Sequence, residues 1–387
     1  MLKEDVDSLL SSMIESADGI SDLFFVVGKP PQVEAHGKLK AYPDDSAAAL
    51  LNANKVESLA LFLINRVERL QRDLANLGAC DCSYAIENFA RFRVNIFKQN
   101  GNHAIVMRKL NSQIPRMDKL SLQPIFREII KEKTGLVFVT GATGSGKTTT
   151  LAAMLNEVNQ TEEMHVVTLE DPIEFLHPHA KATFSQRELG RDFPDFAAGL
   201  RSALRQAPKL ILVGEIRDRE TMEIAITAAE TGHVVYSTLH TINAAQTVNR
   251  ILGMFSKDEE LQVRQRLADT LRFVISQRLV SKIGGGRIMV NEIMGNNLRT
   301  REALLFGENE NRSLSEIIEA SNAYGWQTFD QALVEAFQKG LVSEETAIIF
   351  GTSKNKVRQG IDLAKKLSGS VTENSASNEF KLKLRAS

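Results

Sequence analysis

The spacing of apolar residues changes along the chain and predicts its elements. An amphipathic helix is predicted by a 3.6-residue period that Asp18-Gly19 ends. Its apolar positions are Leu2, Val6, Leu9, Leu10, Met13, Ile14 and Ala17. Short apolar runs then predict strands over residues 23–27, 32–35, 91–97 and 104–110, the last two joined by the turn 99–102. With a second helix predicted over residues 56–74, residues 1–111 form a small α+β domain.

The pattern differs after residue 124, where continuous apolar runs alternate with helical stretches. The runs lie at residues 136–140, 165–169, 210–213 and 234–239. Strands buried on both faces and separated by helices are typical of a parallel sheet in an α/β domain. We therefore predict an α/β fold class with five segments. These are the α+β domain 1–111, a linker 112–124 marked by two prolines, the α/β core 125–295, a helical region 296–368 and a disordered tail 369–387.

Composition narrows the class of protein. The 387 residues are 43% hydrophobic and carry a formal net charge of −1, so no global basic surface indicates nucleic acid. Cys80 and Cys82 are too close for an ordinary disulfide and have no second pair for zinc. The acidic N-terminus is unlike a signal peptide, and no apolar run reaches the ~20 residues of a spanning helix. We expect a soluble, cytoplasmic protein.

One segment fits the phosphate-binding pattern G-x-x-x-x-G-K-[ST]. It comprises Gly141, Ala142, Thr143, Gly144, Ser145, Gly146, Lys147 and Thr148, followed by Thr149. It lies between a predicted strand and a predicted helix, where backbone N–H groups can surround phosphates. Lys147 is expected to neutralise phosphate charge and Thr148 to ligate Mg²⁺. The alternative is a Gly-rich turn with an exposed lysine. The pattern predicts ATP and Mg²⁺ as cofactors.

Two acidic segments follow apolar strands. Glu215 ends the run 210–213 and is placed to accept the proton of the attacking water or to hold the metal, the alternative being a helix cap. The cluster Glu170-Asp171-Pro172-Ile173-Glu174 follows the run 165–169, and Pro172 keeps Asp171 out of a helix. It is either an ordinary strand-end turn or a second acidic site for the metal.

Two histidines, His233 and His240, flank the apolar run 234–239. Each is either a hydrogen-bonded polar group at a strand end or a sensor of phosphate in the nucleotide site. A catalytic zinc site is not expected, since the cysteines are too few.

These segments, in this order, resemble the type IV pilus retraction ATPases of the PilT/PilU group, in the secretion ATPase superfamily. The matching stretches are Gly141 to Thr150, Thr168 to His177 (TLEDPIEFLH), Ile211 to Asp218 (ILVGEIRD), Ala228 to Thr241 (AAETGHVVYSTLHT) and Lys282 to Met294. The resemblance extends to about residue 350.

The resemblance implies a PAS-like N-terminal domain, a RecA-like motor domain and a homohexameric ring. It implies that N-terminal arginines complete the site, and Arg93 and Arg108 match such positions; the alternative is two surface arginines. It also implies catalytic roles for Glu215, Glu174 and His240, a nucleotide contact for His233, and a metal site of Thr148, Asp171, Glu170 and Glu215. The implied partner is an inner-membrane pilus platform protein, with the ring peripheral to that membrane.

Further segments indicate the subtype. No tetracysteine zinc motif of the assembly ATPases is present, which favours retraction. Leu298 to Leu304 replaces the C-terminal Ala-Ile-Arg-Asn-Leu motif, and Ala142, Leu204 to Pro208, Arg219 to Met222 and Trp326 to Gln331 look more like the accessory PilU branch. We predict a retraction motor, alternatively an accessory ring acting with a paralogous retraction ATPase. A structural ring with little turnover and a nucleic-acid translocase are the remaining alternatives, the latter disfavoured by the near-neutral charge.

Overall fold

The computed structural model describes residues 2–42, 50–87, 89–110, 113–120, 122–309 and 313–367. Contacts divide the chain into two units. The first unit contains Met1–Ile114, Thr168–Pro178 and Phe184–Gly199. The second contains Pro115–Val167, His179–Thr183 and Leu200–Ser387. Two central segments thus group with the N-terminal residues, which the domain bounds expected from sequence do not anticipate. The predicted tail 369–387 lies outside the described residues.

The N-terminal part of the first unit is an antiparallel sheet with three helices. The strands are β1 (Ile20–Val26), β2 (Gln32–Ala35), β3 (Lys38–Ala41), β4 (Ala79–Ile86), β5 (Ala90–Gln99) and β6 (Asn102–Leu110). The helices are α1 (Lys3–Glu15), α2 (Ala53–Ile64) and α3 (Glu68–Asn76). The strand order is β3-β2-β1-β6-β5-β4. The hairpin of β5 and β6 turns at Asn100 and Gly101, both at positive φ, as predicted.

The predicted helix over residues 56–74 is wrong, because two helices replace it. Asn65 and Arg66 have φ angles of 47° and 60°, and Asn65 ends α2 in the left-handed conformation. Asparagine tolerates this conformation better than most residues, so the chain can turn there without glycine. The apolar spacing continues across the break, which is why the period alone did not reveal it.

The second unit carries most of a seven-stranded sheet and the remaining helices. The strands are β7 (Gly135–Thr140), β8 (His165–Glu170), β9 (Thr183–Glu188), β10 (Leu210–Val213), β11 (Val234–Leu239), β12 (Leu271–Ser281) and β13 (Arg287–Met294), in the order β13-β12-β7-β11-β10-β8-β9. The helices include α4 (Phe126–Ile129), α5 (Lys147–Thr161), α6 (Phe196–Ala203), α7 (Arg219–Glu230), α8 (Ala244–Leu252), α9 (Glu260–Thr270), α10 (Leu298–Phe306), α11 (Leu314–Glu319), α12 (Phe329–Gln338) and α13 (Glu344–Phe350), and residues 354–367 are also helical. The unit division passes through β8 and β9, and α6 is also divided.

The centre of this sheet is parallel and buried. β7 pairs in parallel with β11 and β12, and β11 pairs in parallel with β10. Every residue of β7, β10 and β11 is buried, which explains their continuous apolar character. All four strands expected in this region are present, and the predicted α/β class is confirmed. Among the described residues, no helix combines the length and apolar character needed to cross a membrane.

Candidate nucleotide site

The phosphate-binding segment connects β7 to α5 at the carboxyl edge of the parallel strands. Gly141 has a φ of 143°, and a Cβ there would lie 2.5 Å from Ser145 Oγ and 2.6 Å from the Gln277 carbonyl oxygen. Only glycine therefore fits this close approach. Gly146 precedes the first turn of α5, so the loop runs directly into a helix N-terminus. The residues Ala142, Thr143 and Gly144 are exposed, which leaves the loop open to an anion.

Lys147 turns back into this loop. Its Nζ donates to the carbonyl oxygens of Gly141 (2.8 Å) and Ala142 (3.1 Å), and the residue is 9% exposed. Burial lowers the pKa of Lys147, while the nearby Glu215 carboxylate raises it. The ammonium thus lies between the loop and the acidic residue that follows β10.

Glu215 is the acidic residue of this edge, and two basic side chains surround it. Arg217 Nη2 lies 2.6 Å from Glu215 Oε1, and His240 Nε2 lies 3.7 Å from Glu215 Oε2. Burial lowers the pKa of His240, and the Lys147 ammonium acts in the same direction against the opposing effect of Glu215. His240 is therefore neutral at pH 7. The structure brings Lys147, Glu215 and His240 together and adds Arg217.

A cavity of about 440 Å³ adjoins the loop within the second unit. Its walls include Ser145 and Gly146 of the loop, Thr149 and Thr150 of α5, the β12–β13 hairpin and α12. Four cationic side chains line it, namely Lys119, Lys282, Arg287 and Lys339. Ser145 Oγ and Gln277 Oε1 are buried without a hydrogen-bond partner in the described part of the chain. Buried polar atoms are normally paired, so these two indicate room for a polar ligand.

The acidic turn of residues 170–174 belongs to the first unit. Glu170 accepts hydrogen bonds from Thr168 Oγ1 (2.6 Å) and Gln186 Nε2 (3.1 Å). Burial raises the pKa of Glu170 to about 7, against these hydrogen bonds. Asp171 is exposed and Glu174 is half-buried. A carboxyl that is buried and half-protonated near neutrality is a poor metal ligand, so Asp171 is the better oxygen donor of the turn.

The two predicted N-terminal arginines are direct neighbours across β5 and β6. Arg93 is 50% exposed with Asp81 at 4.0 Å, and Arg108 is 70% exposed with its Nε 2.9 Å from Asp22. Their side chains are thus accessible on one patch of the first unit. Neither is buried in the sheet core.

In contrast to the sequence-based prediction, His233 lies outside the nucleotide site of this unit. The register pairs Val234 with Gly135 and Leu239 with Thr140, so β11 begins at the edge opposite the loop. Five residues of strand separate the two edges by roughly 16 Å. His233 instead bonds locally through Nδ1 to the Ala228 carbonyl oxygen (3.1 Å) and to Thr231. These local hydrogen bonds agree with the alternative that His233 is a hydrogen-bonded polar group at a strand end.

Sequence reasoning missed three side chains. Arg217 lies inside the segment 211–218, and its position two residues after Glu215 was a usable signal. The Gln277 side chain on β12 donates to Thr150 Oγ1 on α5, and Glu188 contacts the acidic turn from β9. Neither has a local signal, because each reaches its partners through strand pairing over a long sequence separation.

Comparison with known proteins provides further evidence. Residues 81–363 match the family described as "Type II/IV secretion system protein". The type IV pilus retraction ATPase PilT of Pseudomonas aeruginosa is 40% identical over 343 residues, covering 89% of this chain and 97% of PilT. The pilus ATPase PilU of the same organism is 35% identical over 360 residues, covering 93% of this chain and 92% of PilU. The chain is no more similar to PilU than to PilT, so its membership of the accessory PilU branch remains a prediction.

Solved structures agree with these matches. The crystal structure of the pilus retraction motor PilT with bound ADP has a TM-score of 0.82 at 37% identity, covering 93% of this chain and all of that one. The Legionella pneumophila ATPase DotB has a TM-score of 0.77 at 31% identity, covering 89% and 95%. These likenesses confirm the predicted arrangement of an N-terminal domain followed by a RecA-like domain.

Proposed function

We propose that this chain, which belongs to the Type II/IV secretion system protein family and within it to the PilT/PilU-type type IV pilus ATPases, is the ATP-hydrolysing subunit of a pilus retraction motor. The observation that carries the proposal is the convergence of Lys147, Glu215 and His240 at the loop edge of a parallel sheet. Ligands bind at this edge in open α/β sheets.

The loop residues bind and orient the triphosphate. Backbone N–H groups of residues 141–148 face the phosphates, and Lys147 exchanges its two carbonyl partners for phosphate oxygens. The adjoining cavity fits the nucleoside, and Lys119, Lys282 and Arg287 in its lining offset residual negative charge. Thr149, which is half-buried and lines the cavity on the first turn of α5, is placed to contact the α-phosphate and ribose side.

Glu215 is the group that accepts the proton of the attacking water. Its carboxylate is 16% exposed and paired with Arg217, which holds it at the strand mouth. A positioned general base contributes about 10²–10⁴-fold to a rate. His240 lies next to Oε2, the carboxylate oxygen of Glu215 that does not contact Arg217. It is neutral at pH 7 and can form a hydrogen bond with phosphate or water there. We assign Glu174 a supporting catalytic role from the family motif.

The residues present fit Mg²⁺, which prefers oxygen ligands and retains several waters. The Thr148 hydroxyl is exposed on the first turn of α5, and Glu215 supplies a carboxylate at the same edge. Asp171 is the further oxygen donor that we propose first, because it is exposed, whereas the buried Glu170 would ligate the ion only in its ionised form. Bound there, Mg²⁺ would offset phosphate charge in the transition state.

The direct test uses Lys147→Ala, with Lys209→Ala as the matched control at the opposite edge of the sheet. We expect turnover to fall by about 10³ or more in Lys147→Ala, because phosphate charge is no longer offset, and to be unchanged in the control. Phosphate release at saturating ATP and Mg²⁺ measures it. Equal activity of Lys147→Ala and wild type would contradict the proposed site.

A ring of six subunits is the assembly that we propose, with Arg93 and Arg108 reaching the nucleotide. Arg93→Ala and Arg108→Ala are expected to keep their assembly and lose about 10³-fold in turnover, as a guanidinium at the γ-phosphate is worth that much. Because Arg93 is exposed and only loosely paired, Arg93→Ala should change stability by less than about 0.5 kcal/mol. Arg108→Ala also removes the partner of the buried Asp22 carboxylate and should cost about 1–3 kcal/mol. Size-exclusion chromatography with light scattering, followed by a turnover assay, tests both points. Normal turnover in both variants would show that Arg93 and Arg108 are ordinary surface arginines.

The accessory role is the second candidate, favoured by Ala142 and by the segment Leu298 to Leu304. We propose a cytoplasmic ring that acts on an inner-membrane pilus platform protein, alone or together with a paralogous retraction ATPase. Deleting the gene and measuring pilus retraction under load separates the two roles. Complete loss of retraction supports the main motor, and loss under high load only supports the accessory ring.

A further inference from the structure

The carboxylate of Glu188, the last residue of β9, joins two regions of the first unit. Its Oε1 accepts a hydrogen bond from Ser83 Oγ at 2.5 Å. Its Oε2 accepts the backbone N–H of Ile173 at 3.2 Å and lies 3.7 Å from Arg91 Nη2. Glu188 is 6% exposed, so these contacts are the means by which its charge is compensated.

The partners of Glu188 come from two places in the sequence. Ser83 and Arg91 lie on β4 and β5, where the register pairs Ser83 with Arg93 and Ala85 with Arg91, making them diagonal neighbours on one sheet face. Ile173 lies inside the acidic turn, between Asp171 and Glu174. One buried carboxylate therefore holds the turn's backbone on one side and the N-terminal sheet on the other.

A second contact lies beside the first. A Cβ at Gly190 would lie 2.0 Å from Arg69 Nη2, so the Arg69 guanidinium of α3 packs directly on the backbone that follows β9. The backbone of Glu188 is also held in place, since its N–H donates a hydrogen bond to Asp192 Oδ2 at 2.8 Å. The division into units reflects these contacts, because residues 168–178 and 184–199 group with the N-terminal residues.

We infer that Glu188 is a positioning residue that fixes the acidic turn 170–174 to the N-terminal sheet, so that the turn follows this sheet during the ATPase cycle. The inference rests on the proposed function, because the carboxylates being positioned are those proposed for Mg²⁺ and catalysis. Arg91, rather than the exposed Arg93, is the N-terminal arginine that acts on the turn. Its Nη1 is buried and without a partner in the described residues, and Glu170 lies within electrostatic range.

Two substitutions of Glu188 separate its ion pair with Arg91 from its hydrogen bonds to Ser83 and Ile173. Glu188→Gln can turn its amide towards Ser83 and keep an oxygen for the Ile173 N–H, so it loses only the charge that faces Arg91. Glu188→Ala loses every contact. Lys98→Ala is the matched control, since Lys98 is an exposed cation on the same strand as Arg91.

The experiment combines amide hydrogen exchange over residues 171–177 with turnover per nucleotide-binding site of the full-length protein. We expect Glu188→Ala to accelerate exchange in this segment and to lower kcat by about 10²-fold, since small misplacements of catalytic groups cost this much. KM should change by less than about twofold, because the phosphate loop is untouched. Glu188→Gln should retain slow exchange and lower kcat by only about 3–10-fold.

Arg91→Ala is the decisive variant, because the substitution lies in the N-terminal sheet while its effect on hydrogen exchange is measured in the acidic turn. We expect faster exchange over residues 171–177 and a loss in kcat that is not additive with that of Glu188→Ala, as for groups acting as one unit. Lys98→Ala should alter neither quantity.

Two results would overturn the inference. One is a lowered melting temperature in Glu188→Ala with unchanged exchange over residues 171–177 and unchanged kcat per site, which is the signature of a merely structural ion pair. The other is full additivity of Arg91→Ala and Glu188→Ala. Absence of ATP hydrolysis by the wild type would contradict the proposed function instead, while the exchange measurements would still decide whether the turn is fixed by Glu188.

Discussion

The phosphate loop and the acidic turn are built in opposite ways. The loop is eight consecutive residues, and its lysine finds its partners five and six positions away, at Ala142 and Gly141. The turn is shorter still, but the side chain that holds it bonds to Ser83 across 105 positions. A local motif can be recognised wherever it occurs, whereas the turn acquires its geometry only from the fold around it. Substitutions in the loop and in the turn should therefore affect turnover, ATP affinity and stability in different ways.

The largest effect is expected at the loop edge. Glu215→Gln should lower kcat by about 10³-fold and leave ATP binding intact, because the amide keeps its size but cannot accept the proton of water. Glu220→Gln, an exposed carboxylate nearby on α7, is the matched control. Single-turnover hydrolysis and a fluorescent-nucleotide titration measure the two quantities. If binding and turnover fall together, Glu215 acts in holding the nucleotide rather than in the chemical step.

The next effect tests how tightly the loop is packed. Gly141→Ala places a methyl group 2.6 Å from the backbone oxygen of Gln277, which cannot move away without shifting β12. We expect ATP affinity to fall by about 10²-fold, since overpacking costs up to ~3 kcal/mol. Gly232→Ala is the control, with a φ of 95° but nothing within 4 Å of its Cβ. An equal loss in both variants would mean that backbone strain, and not the close approach, sets the requirement.

The smallest effect concerns the acidic turn and depends on pH. The pKa of Glu170 is about 7, above its ordinary value of 4.5, so the stabilisation from its neutral form is full below pH 4.5 and is lost as pH rises through 7. Glu170→Gln has no proton to lose and should be more stable than wild type at pH 8, by about 2 kcal/mol, with most of this difference absent at pH 5.

Urea unfolding at the two pH values measures this difference in the free energy of unfolding. Glu163→Gln, at an exposed carboxyl, is the control and should show no comparable pH dependence. A Glu170→Gln variant that is less stable than wild type at pH 8 would show that the ionised carboxylate is the favoured form in the fold.

The sequence predicted the second unit better than the first. Strands β7, β10 and β11 are buried on both faces, so their apolar runs were visible without any partner. The break between α2 and α3 was not visible, since two consecutive residues at positive φ interrupt an unbroken apolar period. His233 and His240 flank one strand in the sequence, but only the strand pairing shows that His240 lies at the loop edge of the parallel sheet and His233 at the opposite edge.

By itself the sequence determined the phosphate loop, the acidic residue after β10 and the family, because consecutive residues with fixed spacing carry each of them. Only the tertiary structure decided which groups surround them. The pairing of strands placed Arg217 and His240 on Glu215 and brought Glu188 to the acidic turn. It also left Ser145 Oγ beside a cavity with no partner among the described residues. Burial and long-range contacts set charge states and positions, and neither can be read from a residue's neighbours in the chain.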